Sequence, residues 1–332
     1  MTKLSFLDLV NVVEGEDAGD AIRRVGPLAA HAEALGYHRY WIAEHHGMAG
    51  VAAAATALII AEAGRATKTI RVGSGGIMLP NHSPYIIAEQ FGTLDALFPG
   101  RVDLGLGRAP GADGRLARAI RHDTRQEAEE FPRSVVELRA HFTGEPDLGL
   151  LAVPGRGAQI EMWILGSSLF GAQLAAALGM PYAFASHFAP DLLDEALMIY
   201  RRDFRPSSHL REPYAAAAMS VIAADTKAEA EYIASSTMQN FVALRTGRPG
   251  KLPPPVENYI ASLDPALSGM LAHVMQCSAF GTVEDVARGI RQFVQRTQVD
   301  EVIVHSAAFD PHARMKSLAL TAQAFDQMTE AA

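Results

Sequence analysis

Tyr40-Trp41-Ile42-Ala43-Glu44-His45-His46-Gly47-Met48 begins as a four-residue apolar run led by two aromatic rings and ends abruptly in a carboxylate and two imidazoles. An apolar run of that length reads as a strand buried on both faces. Polar groups on such a strand can meet solvent or a ligand only at its end. Side chains alternate along a strand, so His45 and His46 cannot both point inward. One imidazole is expected to line a cavity while the other packs behind it. Neither a helical His-Glu-x-x-His spacing nor a cysteine pair accompanies them, so no metal site is expected.

Working outward, the same alternation of apolar runs and helical patterns recurs about every 30 to 35 residues. Strands are expected over 4–9, 40–43, 70–74, 102–106, 161–165, 182–185, 214–223 and 301–305. Helices are expected over 20–35, 51–66, 84–98, 126–142, 168–178, 190–204, 227–244, 282–297 and 311–328. Gly36 and Gly179 stop two of these helices, and Pro84 opens another. Residues 143–157 form a Gly/Pro-rich excursion. Residues 246–279, broken at first by two glycines and four prolines, read as an insertion before the last strand. Eight strands alternating with helices indicate a single α/β domain over 1–332, an eight-stranded β/α (TIM) barrel. No Gly-x-Gly-x-x-Gly follows the first strand, which removes the main argument for a dinucleotide-binding sheet. The insertion sits where a barrel carries a lid over its active site.

Composition narrows the function classes. With 332 residues, 49% of them hydrophobic, the chain can bury a large core. Its 29 basic and 37 acidic side chains give a net charge of −8, and no lysine-arginine block stands out, so neither nucleic acid nor an anionic membrane is an expected partner. Cys277 is the only cysteine, which excludes a disulfide framework and fits a reducing cytoplasm. The opening ten residues are too short to read as a signal peptide, and no run of about 18 apolar residues has membrane character.

In a barrel of this kind the active site lies at the C-terminal ends of the strands. There stand Asp8, Glu44, His45, His46, Gly75, Gly76, Met78, Arg108, Gly166, Ser167, Ser168, His187 and His305. Arg108 offers a fixed positive charge beside glycines that let backbone come close. Ser167 and Ser168 fall where a helix starts, so hydroxyls and unpaired N–H groups converge on one point, as a dianion would require. Plain helix capping is the simpler explanation of the serines taken alone. Gly75-Gly76 would let a flat ring lie against bare backbone. Asp8, Met78 and His187 are candidates to line the substrate, and His187 and His305 also suit incidental packing. No Gly-x-Ser-x-Gly elbow occurs and Cys277 has no evident partner, so hydrolase chemistry has little support.

These stretches together resemble the bacterial luciferase-like flavin monooxygenases, through nearly the whole chain. Trp41 to His46 is similar to the family's second-strand motif, in which the first histidine faces the flavin. Val72 to Pro80 resembles its third-strand motif, which carries a non-proline cis peptide, by position Gly75 to Gly76. Gly100 to Arg108 resembles the segment whose last arginine binds the FMN phosphate, and Leu165 to Ser168 the segment that completes the phosphate cup. The resemblance implies catalysis by His45 with Glu44, and cofactor binding by Gly75, Gly76, Arg108, Gly166, Ser167 and Ser168. It implies a two-component monooxygenase: a separate flavin reductase supplies reduced FMN, molecular oxygen is the co-substrate, and a flavin 4a-hydroperoxide oxygenates a small organic molecule. Gly107 replaces the cysteine of light-emitting members and Ser167 a glutamate, so light emission is not implied. The pattern is closer to single-chain oxygenases, some of which act on aromatic polyketides; a carbonyl compound is the other substrate class. A deazaflavin-dependent hydride-transfer enzyme and a non-catalytic flavin-binding protein share the barrel and stay open. A homodimer through residues 52–63 and 83–97 is also implied.

Overall fold

The computed structural model describes residues 2–108, 119 and 129–330. Nine parallel strands alternate with helices. In chain order these are β1 Lys3–Asp8, α1 Ala18–Arg23, α2 Val25–Ala34, β2 Arg39–Ile42, α3 Thr56–Ala66, β3 Arg71–Met78, α4 Pro84–Leu97, β4 Val102–Gly107 and α5 Phe131–Thr143. There follow β5 Glu161–Gly166, α6 Leu169–Leu178, β6 Tyr182–Phe184, α7 Leu193–Asp203, β7 Ala215–Ala223, α8 Lys227–Arg245, α9 Tyr259–Ser262, α10 Pro265–Val274, β8 Ser278–Gly281, α11 Val283–Thr297, β9 Glu301–His305 and α12 Pro311–Glu330. Strands run in the order β6-β5-β4-β3-β2-β1-β9-β7, and β6 pairs with β7 to close an eight-stranded barrel, as the alternation predicts. Among the described residues no helix is long and apolar enough to cross a membrane.

The barrel interior is filled in layers. Inward-facing Leu7, Trp41, Trp163, Ala183, Ala216, Ala218 and Ile303 form one buried cluster, the two indoles meeting edge to face at 5.1 Å. Two indoles leave little room on the opposite wall, and the alanine-rich β6 and β7 supply small side chains there, so the sequence Ala215-Ala216-Ala217-Ala218 makes steric sense as a strand. Beneath this layer lies a plug of charge. Arg39, 2% exposed, donates to Asp103 (2.8 Å), Glu161 (2.9 Å) and Glu301 (3.1 Å), and stacks 4.8 Å from the Trp163 ring. Arg71 adds a second cation on Asp103. The three carboxylates together hold the Arg39 guanidinium well above its usual range, more than offsetting its desolvation.

Three details differ from the sequence reading, and a fourth expectation falls partly outside the described residues. The helix expected over 20–35 is two helices parted at Arg24, because an Asp17 capping box sets α1 and the chain turns before Pro27. The helix expected from residue 51 begins at Thr56; Val51 instead bridges Asn11, and Ala52 donates to the Val10 carbonyl, tying this stretch to the end of β1. The first residues of the helix expected over 126–142 lie outside the described residues, as do Ala109 to Gly111. The insertion before the last barrel strand is present, but its far end is core. Residues Ser278–Gly281 pair with the second half of β7, and Leu271 and Val274 pack with Ile222, Ala234 and Phe241. At nine residues, β7 outruns β9, which pairs only with Ala216 to Ser220; the remaining edge needs another strand.

Candidate active site

Beyond the C-terminal end of β2, which stops at Ile42, the two histidines part. The backbone N–H of His45 donates to Ala53 (3.2 Å), and its Nδ1 is buried with no hydrogen-bond partner. Burial lowers its pKa, with the Glu44 charge opposing that and His46 adding to it. His46 turns the other way. Its Nε2 lies 2.6 Å from Glu44 Oε1, and the same oxygen meets His82 Nε2 at 2.8 Å, while Glu44 Oε2 accepts from the Met78 backbone N–H at 3.2 Å. Burial would raise the Glu44 pKa, but the His82, His46 and Met78 contacts prevail and hold it below the usual carboxylate range. This is the one trio of metal-type donors among the described residues, its ligand atoms within 4.8 Å of one another, and the contacts between them are hydrogen-bond lengths. Met78 thus contributes backbone, pinning the end of β3 to Glu44.

On the neighbouring strand, β3 bulges between Ser74 and Ile77, and the peptide bond Gly75–Gly76 is cis. A side chain at Gly75 would run into Leu7 at 2.7 Å, and one at Gly76 into the Gly105 carbonyl at 2.6 Å. Gly107, by contrast, opens onto free space, with nothing nearer than 3.8 Å. Arg108 follows it. Its guanidinium lies 4.2 Å from the ring centre of Phe170, in the first turn of α6, and no carboxylate among the described residues pairs with it. Ser168 is the N-cap of α6 yet makes no side-chain cap bond, so the first-turn N–H groups keep their donors and the hydroxyls of Ser167 and Ser168 stay available. Gly107 pairs in register with Leu165, which places Gly166 beside Arg108. A guanidinium, two hydroxyls and a helix N-terminus beyond β4 and β5, glycine backbone at the end of β3 and an unpaired imidazole beyond β2 fit a phosphorylated planar cofactor.

His187 and His305 also reach the mouth, their rings 5.3 Å apart. Asp8 does not. It points outward with Phe6, toward α12, where its carboxylate takes bonds from Arg314 (2.8 Å), the Tyr40 hydroxyl and the Val10 N–H (2.8 Å). Alternation along β1 decides this: Leu7 occupies the inward position, so the expectation that Asp8 lines the substrate is corrected to a buried tie between strand and helix.

The luciferase-like monooxygenase family model matches residues 2–301. The chain is 47% identical over 317 residues to a luciferase-like monooxygenase of Escherichia coli (strain K12), covering 95% of both. The chain belongs to this family. Among solved structures, apo-MsnO8 superposes with a TM-score of 0.87 at 30% identity, covering 98% of this chain and 99% of that one. The oxygenating constituent of 3,6-diketocamphane monooxygenase from Pseudomonas putida, solved in complex with FMN, superposes at 0.72 with 18% identity over 97% of each chain, a likeness of fold. This luciferase-like monooxygenase is accordingly an oxidoreductase.

Sequence reasoning missed His82 and Phe170. His82 lies four residues beyond β3 with no motif to single it out, and its contact with Glu44 joins residues 38 apart in the chain. Phe170 reads as one more apolar helix residue, although its spacing two residues after Ser168 places it in the first turn, the position that meets Arg108. At the opposite end of the barrel, a cleft of about 780 Å³ is lined by Lys3, Arg39, Arg71, Glu161 and Tyr214 among others. Arg39, Arg71, Glu161 and Tyr214 already bond within the plug, so this end of the monooxygenase is structural.

Proposed function

We propose that this chain is the oxygenating component of a two-component system. It takes up FMN reduced by a separate flavin reductase, together with molecular oxygen, and places one oxygen atom on a small organic substrate. The observation that carries the reading is the seating of Arg108 on Phe170 at the start of α6. Arg108, Ser167, Ser168 and the first-turn N–H groups of α6 hold the phosphate dianion. Gly75, Gly76, Gly107 and Gly166 let the ring system approach backbone. Bound reduced FMN supplies the electrons and activates oxygen, while the barrel supplies orientation and dryness. His45 holds or moves a proton at Nδ1, which nothing else occupies. Glu44 fixes the end of β2 against Met78. The stretch around Leu252 bonds to Val12 and Glu14 beside the mouth and acts as part of a lid. Leu58, Ile86 and Leu97, exposed on α3 and α4, support the homodimer proposed through those helices.

Anaerobic titration of reduced FMN into the wild type and Arg108→Ala tests the reading. Loss of a charge-assisted phosphate contact is expected to weaken binding by about 10- to 100-fold. Oxygen consumption with a generic flavin reductase and FMN is expected to depend on His45. Tight retention of a deazaflavin coenzyme with negligible FMN affinity, or FMN binding with no effect of His45→Asn on reaction with oxygen, overturns it.

A further inference from the structure

On the side of the mouth away from the glycines, four polar atoms are buried with no hydrogen-bond partner: Nδ1 of His187, both ring nitrogens of His305 and Oγ of Ser220. The three side chains are 9%, 5% and 2% exposed. They arrive from separate parts of the chain. Ser220 and His305 are register partners on β7 and β9, and alternation puts them on the inward face, one layer above Ala218 and Ile303. His187 follows β6 and brings its ring to His305. Native folds leave few buried polar groups unpaired, and four that come together from three elements leave donors and acceptors for a guest to satisfy.

The chemistry of the set restricts that molecule. Burial, reinforced by His45, holds His187 down at about 4, and burial with His187 and Arg314 holds His305 well below its usual value, against the pull of Asp8. Near neutrality both rings are uncharged, each with one N–H and one bare nitrogen, and Ser220 both donates and accepts. Arg314, the cation near His305, is committed to Asp8 and to the Ser306 carbonyl. A carboxylate would find no counter-charge here.

We propose that His187, His305 and Ser220 form the substrate-recognition subsite of this barrel and take an uncharged group that both donates and accepts hydrogen bonds, a hydroxyl or a carboxamide, while refusing a carboxylate. This deepens the monooxygenase reading and rests on it for the word substrate. His187 neighbours His45, so a molecule gripped by its polar head here presents its remainder to the side of the mouth where His45 stands.

Benzyl alcohol, benzamide and benzoate share a ring and differ in the head. Each is titrated near neutral pH into the full-length protein, and the histidine ring signals are followed by proton–carbon NMR, assigned through His187→Asn and His305→Asn. The two neutral compounds are expected to shift the His187 and His305 signals, and benzoate to leave them in place. Ser220→Ala, the mildest change, is expected to weaken the neutral probes about three- to tenfold without altering thermal melting. Benzoate acting as strongly as benzamide overturns the selectivity, and silence from both neutral probes overturns the subsite. If FMN fails to bind while the probes move both histidines, the monooxygenase reading falls and the site stands; if FMN binds and the probes are silent, only this inference falls.

Discussion

Replacing Arg39 by methionine would test what the charged plug does. The change keeps an unbranched side chain of similar length between Trp41 and Trp163 but removes the guanidinium shared by Asp103, Glu161 and Glu301. Asp103 and Glu301 have fully buried side chains, whereas Glu161 is 37% exposed and can turn to water. Asp103 retains Arg71 and the Trp41 indole, so Glu301 bears the larger loss, left with the hydroxyls of Ser5 and Tyr214. Removing one partner of a buried ion pair costs about 3–5 kcal/mol. At about 2.1 cal/mol/K per residue, a chain of this length has an unfolding entropy near ~0.7 kcal/mol/K, so melting should fall by roughly 4–7 °C. Adding Glu301→Gln to Arg39→Met should recover much of the loss, because a neutral amide no longer demands a cation. Urea titration and thermal melting followed by circular dichroism measure both variants. If Arg39→Met melts with the wild type, or the second substitution makes matters worse, the plug is not held by charge pairing.

Two other outcomes follow from burial. His187 and His305 are held low in the folded chain and return to near ~6.5 when unfolded. Between about pH 6.5 and 4 the unfolded chain therefore binds protons that the folded one refuses, and stability is lost as pH falls through that window. The groups facing these rings are His45 for His187, and His187, Arg314 and Asp8 for His305; His38, also lowered to about 4, contributes to the same window. Urea midpoints across it should flatten in His187→Asn by up to about 1.4 kcal/mol per pH unit. Gly92→Ala sets helix propensity against packing: its Cβ would lie 2.3 Å from Gly155 Cα and 2.4 Å from Gly155 N. Backbone cannot yield as a side chain can, so a net loss of about 1–3 kcal/mol is expected from the urea midpoint, despite alanine's preference for helices.

The barrel was legible because its strands are apolar on both faces and end in abrupt polar or glycine signals, as at Glu44 and Gly107; Gly75-Gly76 instead marks the bulge of β3, which runs on to Met78 past the end expected at Ser74. The ends of helices with weak caps were not: α3 starts at Thr56 because Val51 and Ala52 find strand partners far away in sequence. β8 was invisible because Ser278–Gly281 is too short to show alternation and exists to complete β7. The position of Arg108 beside α6 could be read from the strand order alone. The outward turn of Asp8 needed the inward register of Leu7, and the trio of Glu44, His46 and His82 needed a contact between residues 38 apart in the chain. Long-range pairing, which no local pattern encodes, decided the start of α3 and the existence of β8.

The salt-bridged plug and the twin indoles above it leave the barrel sealed at one end. Among the described residues that leaves the mouth, at the end opposite Arg39, Asp103 and Glu301, as the way in for whatever the barrel receives.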